Sequence, residues 1–305
     1  MADIVTTRGG QPVPVSFRGV ANTPDDSVDK NLVATFARGY KSFTHLQDSA
    51  KGGTVSIVGS GPSLARTYKD LVGDVMACNS AHDFLIEHGV IPKYAMIWDA
   101  HPIIAKFLTK PHKGVKYLIA SRCDPSVFAA LEGYDVTVWH ALGGGESLEN
   151  LLIEHNRMEA MIGGGSAGVT RGMYVLGAMG YTDMHLFGVD CCYDEGETHV
   201  TGSVIDQQKL RLRVCGKWFL LAPWMAMQAG DFKTLIPGMQ KRCARIVVHG
   251  TGLIPYIATF LNCETPDVKV SIFEKARREL HALILLFRDI KNSPQLLGGS
   301  NAGIR

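Results

Sequence analysis

The sequence predicts an α/β fold: a Rossmann-like, mostly parallel sheet with helices on both faces, extended by a lid-like insertion and a long C-terminal helix. Short apolar runs alternate with segments of helical spacing from residue 54 to residue 190, which is typical of a parallel sheet covered on both faces. The first run, 54–58, leads into the turn Gly59-Ser60-Gly61 and then Pro62. Two glycines allow a sharp turn and a close approach of backbone, and proline suits the first turn of a helix.

Composition and charge exclude several classes of protein. With 305 residues, 46% hydrophobic and 20% charged, the chain resembles an ordinary soluble enzyme. A net charge of +2 gives no electrostatic reason to expect nucleic acid or a membrane surface as partner. Seven cysteines without a C-x-x-C pair are typical of reduced thiols. No apolar run approaches the ~20 residues of a membrane span, and residues 1–8 do not resemble a signal peptide, so we expect a cytoplasmic protein.

The chain divides into three predicted parts. Residues 1–50 contain several glycines and prolines, and we expect an irregular arm followed by a helix over 31–43. Residues 51–260 form the Rossmann-like domain. Residues 261–305 contain an amphipathic helix over 270–290 and a tail rich in Gly, Ser and Asn. This helix would pack on the body of the protein or join two copies into a homo-oligomer.

Within the central part, the apolar runs predict strands at 54–58, 75–78, 94–98, 117–120, 136–139, 184–188 and 245–249. Helical spacing predicts helices near 62–72, 81–88, 125–132, 147–156 and 166–179, with a short one after Gly252. Residues 200–235 are less regular, with a basic stretch over 209–217 followed by apolar residues. They are interpreted as a lid over the ligand site or as a solvated face that merges into a packed helix.

Polar residues follow several predicted strands, where ligands of parallel sheets usually bind. Gly59 to Ser63, Asn79, Asp99 and Asp190 each come directly after a strand, so we expect them in one crevice. The N–H groups at a helix start favour an anion, most often a phosphate, although the same turn also occurs without a ligand. Asn79 and Asp99 also suit helix N-caps. Asp99 could alternatively hold Mg²⁺, a ribose hydroxyl or a substrate proton.

Two further segments carry candidate residues. Glycines at 163–165 and Ser166 precede a predicted helix and form a second candidate phosphate site, or allow the helix to pack closely on the sheet. The loop after Asp190 contains three more carboxylates and His199. A histidine titrates near neutral pH, as general acid–base catalysis requires. A solvated acidic loop is the alternative.

These motifs together resemble the MptE-like family, which includes archaeal 6-hydroxymethylpterin diphosphokinase and the Maf (motility accessory factor) glycosyltransferases. The resemblance lies in the segment from Ile57 to Leu64, in Cys78-Asn79-Ser80, in Ile97-Trp98-Asp99 and in the segment from Leu186 to Asp190. It also includes Gly163-Gly164-Gly165-Ser166, Gly180-Tyr181, Tyr193 and Thr198-His199. The same order of motifs is similar to bacterial sialyltransferases that use CMP-activated sugars. The resemblance covers roughly residues 50–255.

The resemblance implies a role for each matched residue. Gly59, Ser60, Gly61, Pro62, Ser63, Asn79 and Ser80 would hold the nucleotide, and Gly165 and Ser166 would contact its phosphate or the donor. Asp99 and Asp190 would face the reacting centre, and His199 would be the acid or base.

Three functions remain open at this point. The first is a glycosyltransferase with a nucleotide-sugar donor of the CMP type, and the second is an ATP-dependent diphosphokinase in which Asp99 and Asp190 hold Mg²⁺. The third is a nucleotide-binding or assembly protein without turnover. The acceptor would be a glycan, a protein or a small heterocycle.

Overall fold

The structure is a computed structural model that describes residues 5–6, 12–13, 23–142, 145–194, 196–200 and 209–269. The described residues up to Val268 belong to one compact unit. The helix predicted over 270–290, with its proposed role in oligomers, lies outside the described residues. None of the described helices is both long enough and apolar enough to cross a membrane.

Strands and helices alternate along most of the chain. The strands are β1 (Val5–Thr6), β2 (Pro12–Val13), β3 (Thr54–Val58), β4 (Asp74–Cys78), β5 (Tyr94–Ile97), β6 (Lys116–Ala120), β7 (Asp135–Ala141), β8 (Met161–Ile162), β9 (Asp183–Phe187), β10 (Leu210–Val214), β11 (Lys217–Leu221) and β12 (Arg245–Val248). The helices are α1 (Asp25–Arg38), α2 (Leu64–Thr67), α3 (Ala81–Glu87), α4 (Pro125–Ala130), α5 (Gly145–Glu154), α6 (Gly168–Ala178), α7 (Pro223–Met239) and α8 (Leu253–Ala258).

Eight of these strands form one sheet in the order β12-β9-β3-β4-β5-β6-β7-β8. Every neighbouring pair in it is parallel. From β3 the chain runs outward to β8, and α6 then leads back to β9 on the other side of β3. The strand order therefore reverses between β3 and β9. Val58 pairs with Phe187, so these two strands end at the same level.

Helices cover both faces of the sheet, as predicted. Successive side chains of a strand point to opposite faces. Val58 belongs to a buried cluster with Leu64 of α2 and Phe84 of α3. Its neighbour Ile57 faces α6 instead, where a Cβ atom on Gly172 would lie 2.5 Å from Met76 Cε. Gly172 therefore lets α6 lie close against the sheet, and the predicted Rossmann-like fold is confirmed.

Several element bounds differ from the prediction for local reasons. Helix α1 begins at Asp25 rather than residue 31, with two acidic residues in its first turn, which the helix dipole favours. It ends before Gly39, whose φ is +66°. Helix α2 ends at Thr67 and gives way to a 3₁₀ turn at Tyr68–Asp70. The short edge strand β8 was not predicted.

The segment over 200–235 is more regular than the sequence suggested. Residues 210–221 form the hairpin β10–β11, and residues 223–239 form α7. Buried Leu212 and Val214 alternate with exposed arginines, as in a strand with one covered face. The two-residue turn Cys215-Gly216 has positive φ at both positions, which matches the right-handed twist of hairpin strands. Residues 201–208 lie outside the described residues.

Candidate functional site

A cavity opens at the carboxyl ends of β3 and β9, where the strand order reverses. Its lining includes the loop Gly59-Ser60-Gly61 after β3, Asn79 after β4, the start of α6, Asp190 and Cys191 after β9, and His199. This is the position at which open parallel sheets bind ligands. The free volume is about 130 Å³, below the ~300 Å³ at the low end of ordinary ligand pockets. A nucleotide would fill the cavity and extend beyond its rim.

The first turn of α6 contributes backbone donors to the cavity. Gly168, Val169 and Thr170 all line it, and no side chain caps this helix at Ala167. The first N–H groups of an α-helix have no partner within the helix. Together with the positive end of the helix dipole they favour a bound anion such as a phosphate.

Asn79 lies against this helix start. Its φ is +50°, a conformation that asparagine tolerates better than most residues. A Cβ atom on Gly168 would lie 3.5 Å from Asn79 Nδ2. The Oδ1 atom is buried and has no hydrogen-bond partner among the described residues. A buried acceptor without a partner costs roughly 1–3 kcal/mol, so a ligand that donates to this oxygen would recover that energy.

His199 contributes a titratable ring to the same cavity. The ring stacks on Trp224 of α7 with centroids 6.0 Å apart, and its Nδ1 lies 2.9 Å from Thr198 Oγ1. Burial lowers the pKa of His199 below its usual value, because a buried site disfavours the charged form. The imidazole is therefore neutral near pH 7 and able to accept a proton.

Asp190 occupies the helix start that the sequence predicted to hold a phosphate. Its Oδ2 accepts a hydrogen bond of 2.9 Å from the backbone N–H of Ser63, just before α2. The residue is 3% exposed. Burial raises the pKa of this carboxyl, and the hydrogen bond from Ser63 opposes that shift. The N–H group at the start of α2 is thus already bound to a side chain of the protein itself. The helix start that faces the cavity is that of α6.

The glycines of the first motif serve the contact between two loops. The N–H of Gly61 donates to the carbonyl of Gly188 over 2.8 Å. A Cβ atom on Gly59 would lie 2.6 Å from that same carbonyl oxygen. Gly188 itself has a φ of +59°. The β3 and β9 loops can approach this closely only without side chains at these positions.

The structure brings some of the predicted site residues together and separates others. Gly59, Ser60, Gly61, Asn79, Asp190 and His199 line one cavity, whereas Pro62, Ser63, Ser80, Asp99, Gly165 and Ser166 are not part of its described lining. Asp99 follows β5 as predicted, but its Oδ1 accepts the backbone N–H of His101. The expectation of a single crevice that includes Asp99 is therefore not met, because β5 lies two strands away from β3.

The second glycine stretch positions α6 instead of lining the cavity. Ser166 donates to Asp231 of α7 from both its N–H, over 2.8 Å, and its hydroxyl. The carbonyl of Gly165 accepts a hydrogen bond from Arg171. These contacts hold the turn before α6 in place. The next residues, 168–170, form the start of α6 that lines the cavity.

Comparison with known proteins places the chain in a family. The sequence pattern of the family described as 6-hydroxymethylpterin diphosphokinase MptE-like matches residues 30–196. The chain belongs to the MptE-like family. The matched region contains Asn79 and Asp190 but ends before His199. No curated protein matches the chain.

A solved structure shares the fold of this MptE-like chain. The MAf glycosyltransferase from Magnetospirillum magneticum AMB-1 aligns with a TM-score of 0.58 at 18% identity, over 89% of this chain and 44% of that one. At this identity the likeness concerns the fold. The chain spans less than half the length of that protein. The resemblance to the MptE-like family deduced from the motifs is confirmed.

Helix α7 belongs mostly to the segment that was interpreted as a lid over the ligand site, but none of its residues was among the predicted site residues. Trp224, Met225, Gln228 and Phe232 all line the cavity, and Gln228 Oε1 lies 3.4 Å from Cys191 Sγ. Cys191 has a φ of +48°, a strained conformation for a residue of this type. Its position directly after Asp190 was visible in the sequence, but its backbone conformation was not.

The two carboxylates predicted to hold Mg²⁺, Asp99 and Asp190, do not line the same cavity. Asp190 lines the cavity and Asp99 does not. In the described part of the chain, no group of three or more His, Cys, Asp or Glu side chains is arranged to hold a metal ion. Asp99 and Asp190 thus do not meet in the described cavity, and a bound Mg²⁺ stays a prediction.

Two substitutions of Asp190 separate the effect of its charge on stability from that of its hydrogen bond to Ser63. We expect Asp190→Asn to stay within about 1 kcal/mol of the wild-type free energy of unfolding at pH 7, because an amide oxygen can still accept from Ser63. Asp190→Ala leaves that buried N–H without an acceptor and should cost about 1–3 kcal/mol. Chemical denaturation of both variants measures the difference.

The difference in stability between the wild type and the D190N variant should depend on pH. The folded-state pKa of Asp190 lies above its unfolded value, so the wild type loses stability as pH rises through the interval between the two values. The D190N variant lacks this loss, so its free energy of unfolding should rise relative to that of the wild type above about pH 4. Asp135→Asn, which removes the exposed partner of Lys41, is the control with little expected change. A D190N variant less stable than D190A would contradict this account.

Proposed function

We propose that this chain is a nucleotide-dependent transferase, and that its donor is a nucleotide-sugar of the CMP type. The observation that supports it most is the cavity itself, in which an uncapped helix start, an unpartnered amide oxygen and a neutral imidazole converge. Both the family description and the name of the solved relative are those of transferases. The acceptor would be a glycan, a protein or a small heterocycle.

In this proposal the start of α6, Asn79 and His199 each have one role in the reaction. The N–H groups at the start of α6 hold the donor phosphate and stabilise its negative charge as it leaves the anomeric carbon. Asn79 Oδ1 accepts a hydrogen bond from the nucleoside. With its Nδ1–H donating to Thr198, His199 accepts the acceptor hydroxyl proton at Nε2. The acceptor oxygen bonds to the anomeric carbon as the bond to the phosphate breaks.

A second candidate is an ATP-dependent diphosphokinase, which the family description favours. Here a hydroxyl oxygen of the second substrate attacks the β-phosphorus of ATP, and AMP leaves. Transfer of a phosphoryl group requires several positive groups around the phosphates. Arg171 of α6, directly after Thr170 of the cavity lining, is one such group close to the cavity in sequence. A protein that binds nucleotides without turnover is the third possibility.

A ligand panel separates these candidates. Midpoints of thermal unfolding would be measured with CMP, CDP, UDP, ADP and ATP, each with and without Mg²⁺. A ligand at 100 times its dissociation constant stabilises the folded form by about 2.7 kcal/mol, or several degrees for a chain of this size. We expect CMP without metal to raise the midpoint. Cytidine is the matched control, since it lacks the phosphate that α6 would bind.

Each outcome of the panel has one meaning. A shift with CMP and a smaller one with cytidine supports the sugar-transfer proposal. A shift confined to ATP with Mg²⁺ supports the diphosphokinase and rejects the CMP-type donor. No shift with any of these nucleotides would reject nucleotide binding at this cavity.

A further inference from the structure

Two arginines converge on one tryptophan outside the cavity already described. The guanidinium carbon of Arg171 lies 4.7 Å from the ring centroid of Trp98, and that of Arg122 lies 5.8 Å from it. Both distances are in the range of cation–π contacts. These three residues are named here the Trp98 cluster. None of them belongs to the lining of the cavity between β3 and β9.

The sheet places the Trp98 cluster at the same edge as that cavity. Trp98 directly follows β5, Arg122 comes two residues after β6, and Arg171 is in α6. Asn31 of α1 ties the two strand-end loops together by donating to the carbonyls of Ala100, over 3.1 Å, and Arg122, over 3.0 Å. The cluster is therefore built from four fixed elements.

In the part of the chain that the structure describes, no carboxylate is bound to the positive charges of the cluster. Among the described residues, Arg171 donates only to the carbonyls of Ile162 and Gly165, over 3.1 and 3.0 Å. No ion pair of Arg122 or Arg171 is formed in the described ranges. The Nε atoms of both arginines are buried without a hydrogen-bond partner there. A buried cation without a counter-charge is costly, and a bound anion would offset that cost.

The acidic groups nearby are already engaged elsewhere. Asp231 acts on Arg171 at a distance, but its Oδ2 accepts two hydrogen bonds from Ser166. Asp99, next to Trp98, accepts the N–H of His101. Arg171 is 8% exposed. Burial lowers its pKa to about 10, with a further contribution from the positive charge of Arg122.

We propose that the Trp98 cluster binds a phosphate or carboxylate group of the second substrate, the molecule that receives the transferred group. This inference rests on the proposed transferase function. Neighbouring strands lie about 4.8 Å apart, so the ends of β5 and β6 are roughly 10–14 Å from that of β3. At that distance the cluster suits an anionic group of a second molecule beside the nucleotide better than it suits the nucleotide phosphate at the start of α6. Guanidinium groups match the planar geometry of both anions.

Titration calorimetry with small anions tests the proposal. Inorganic pyrophosphate and acetate would each be titrated into the full chain saturated with the nucleotide that the panel identifies. The two anions distinguish a phosphate-bearing from a carboxylate-bearing substrate. We expect one of them to bind the wild type and to bind Arg122→Gln at least 10-fold more weakly, since charged hydrogen bonds are lost. Arg122→Lys keeps the charge and should fall between the two.

A matched variant and the nucleotide itself provide the controls. Arg211→Gln removes an exposed arginine on the hairpin and should leave anion binding unchanged. Nucleotide affinity should change less than twofold in Arg122→Gln. A parallel loss of nucleotide and anion binding would overturn the proposal, because the arginines would then serve the nucleotide. Equal anion binding by wild type and Arg122→Gln, or none by either, would also overturn it.

The test remains meaningful if the proposed function fails. Without any bound nucleotide, anion binding that depends on Arg122 would still identify the subsite, while the transferase proposal would be rejected. If nucleotide binds normally but anion binding does not depend on Arg122, only the subsite is rejected.

Discussion

The His199→Ala variant is expected to lose turnover by about 100- to 10,000-fold, the usual contribution of a general base, while it binds nucleotide almost as well as the wild type. The ring lies in the cavity beside Trp224, and the proposal gives it the acceptor proton and no contact with the nucleoside. Turnover is measured as release of CMP from the donor, and affinity by calorimetry.

The pH profile adds a readout that a purely structural histidine would not give. Burial lowers the pKa of His199, so the base form persists below the usual histidine value of about 6.5. The acid limb of the turnover profile should therefore lie below pH 6.5. His112→Ala is the matched control, because that ring accepts the N–H of Gly114 at the surface. Full turnover by His199→Ala would remove the histidine from the mechanism.

The Asn79→Gly variant is expected to bind nucleotide at least 10-fold more weakly than the wild type. The lost contact is a hydrogen bond to an acceptor that is buried and unpartnered in the free protein, and such contacts contribute roughly 1–3 kcal/mol. Each 1.4 kcal/mol corresponds to a factor of ten in affinity. Calorimetric titration with the nucleotide identified by the panel measures the change.

Comparing glycine with alanine at position 79 separates the loss of nucleotide affinity from the effect of backbone strain on stability. The φ of +50° at Asn79 costs glycine nothing, whereas alanine pays about 1 kcal/mol or more. Both variants should bind nucleotide equally poorly, and only Asn79→Ala should unfold at a lower midpoint. Wild-type affinity in Asn79→Gly would show that the side chain does not reach the ligand.

The central sheet was predictable because its strands are short, apolar and separated by helical spacing. The run at 54–58 agrees with β3 residue for residue. The hairpin β10–β11 was harder, since the basic residues over 209–217 mask the alternation of buried Leu212 and Val214. Helix α7 has apolar residues on most of its surface and a proline at 237, so no single stripe marks it.

The site was predictable only as far as the sheet determines it. The rule that ligands bind at strand ends identified Asn79 and Asp190, because β3, β4 and β9 are neighbours. The same rule placed Asp99 with them, but the sequence does not reveal that β5 is two strands from β3. Nor does it reveal that Asp190 fills the start of α2. Such contacts join residues more than a hundred positions apart, and local patterns carry no information about them.

The proposed function depends on the first turn of α6 binding a nucleotide phosphate. A crystal structure of the chain with bound CMP tests it most directly. We expect the phosphate within about 3 Å of the backbone nitrogens of residues 168–170, with Asn79 Oδ1 in contact with the nucleoside. A phosphate bound at another edge of the sheet, with the cavity between β3 and β9 left empty, would contradict it.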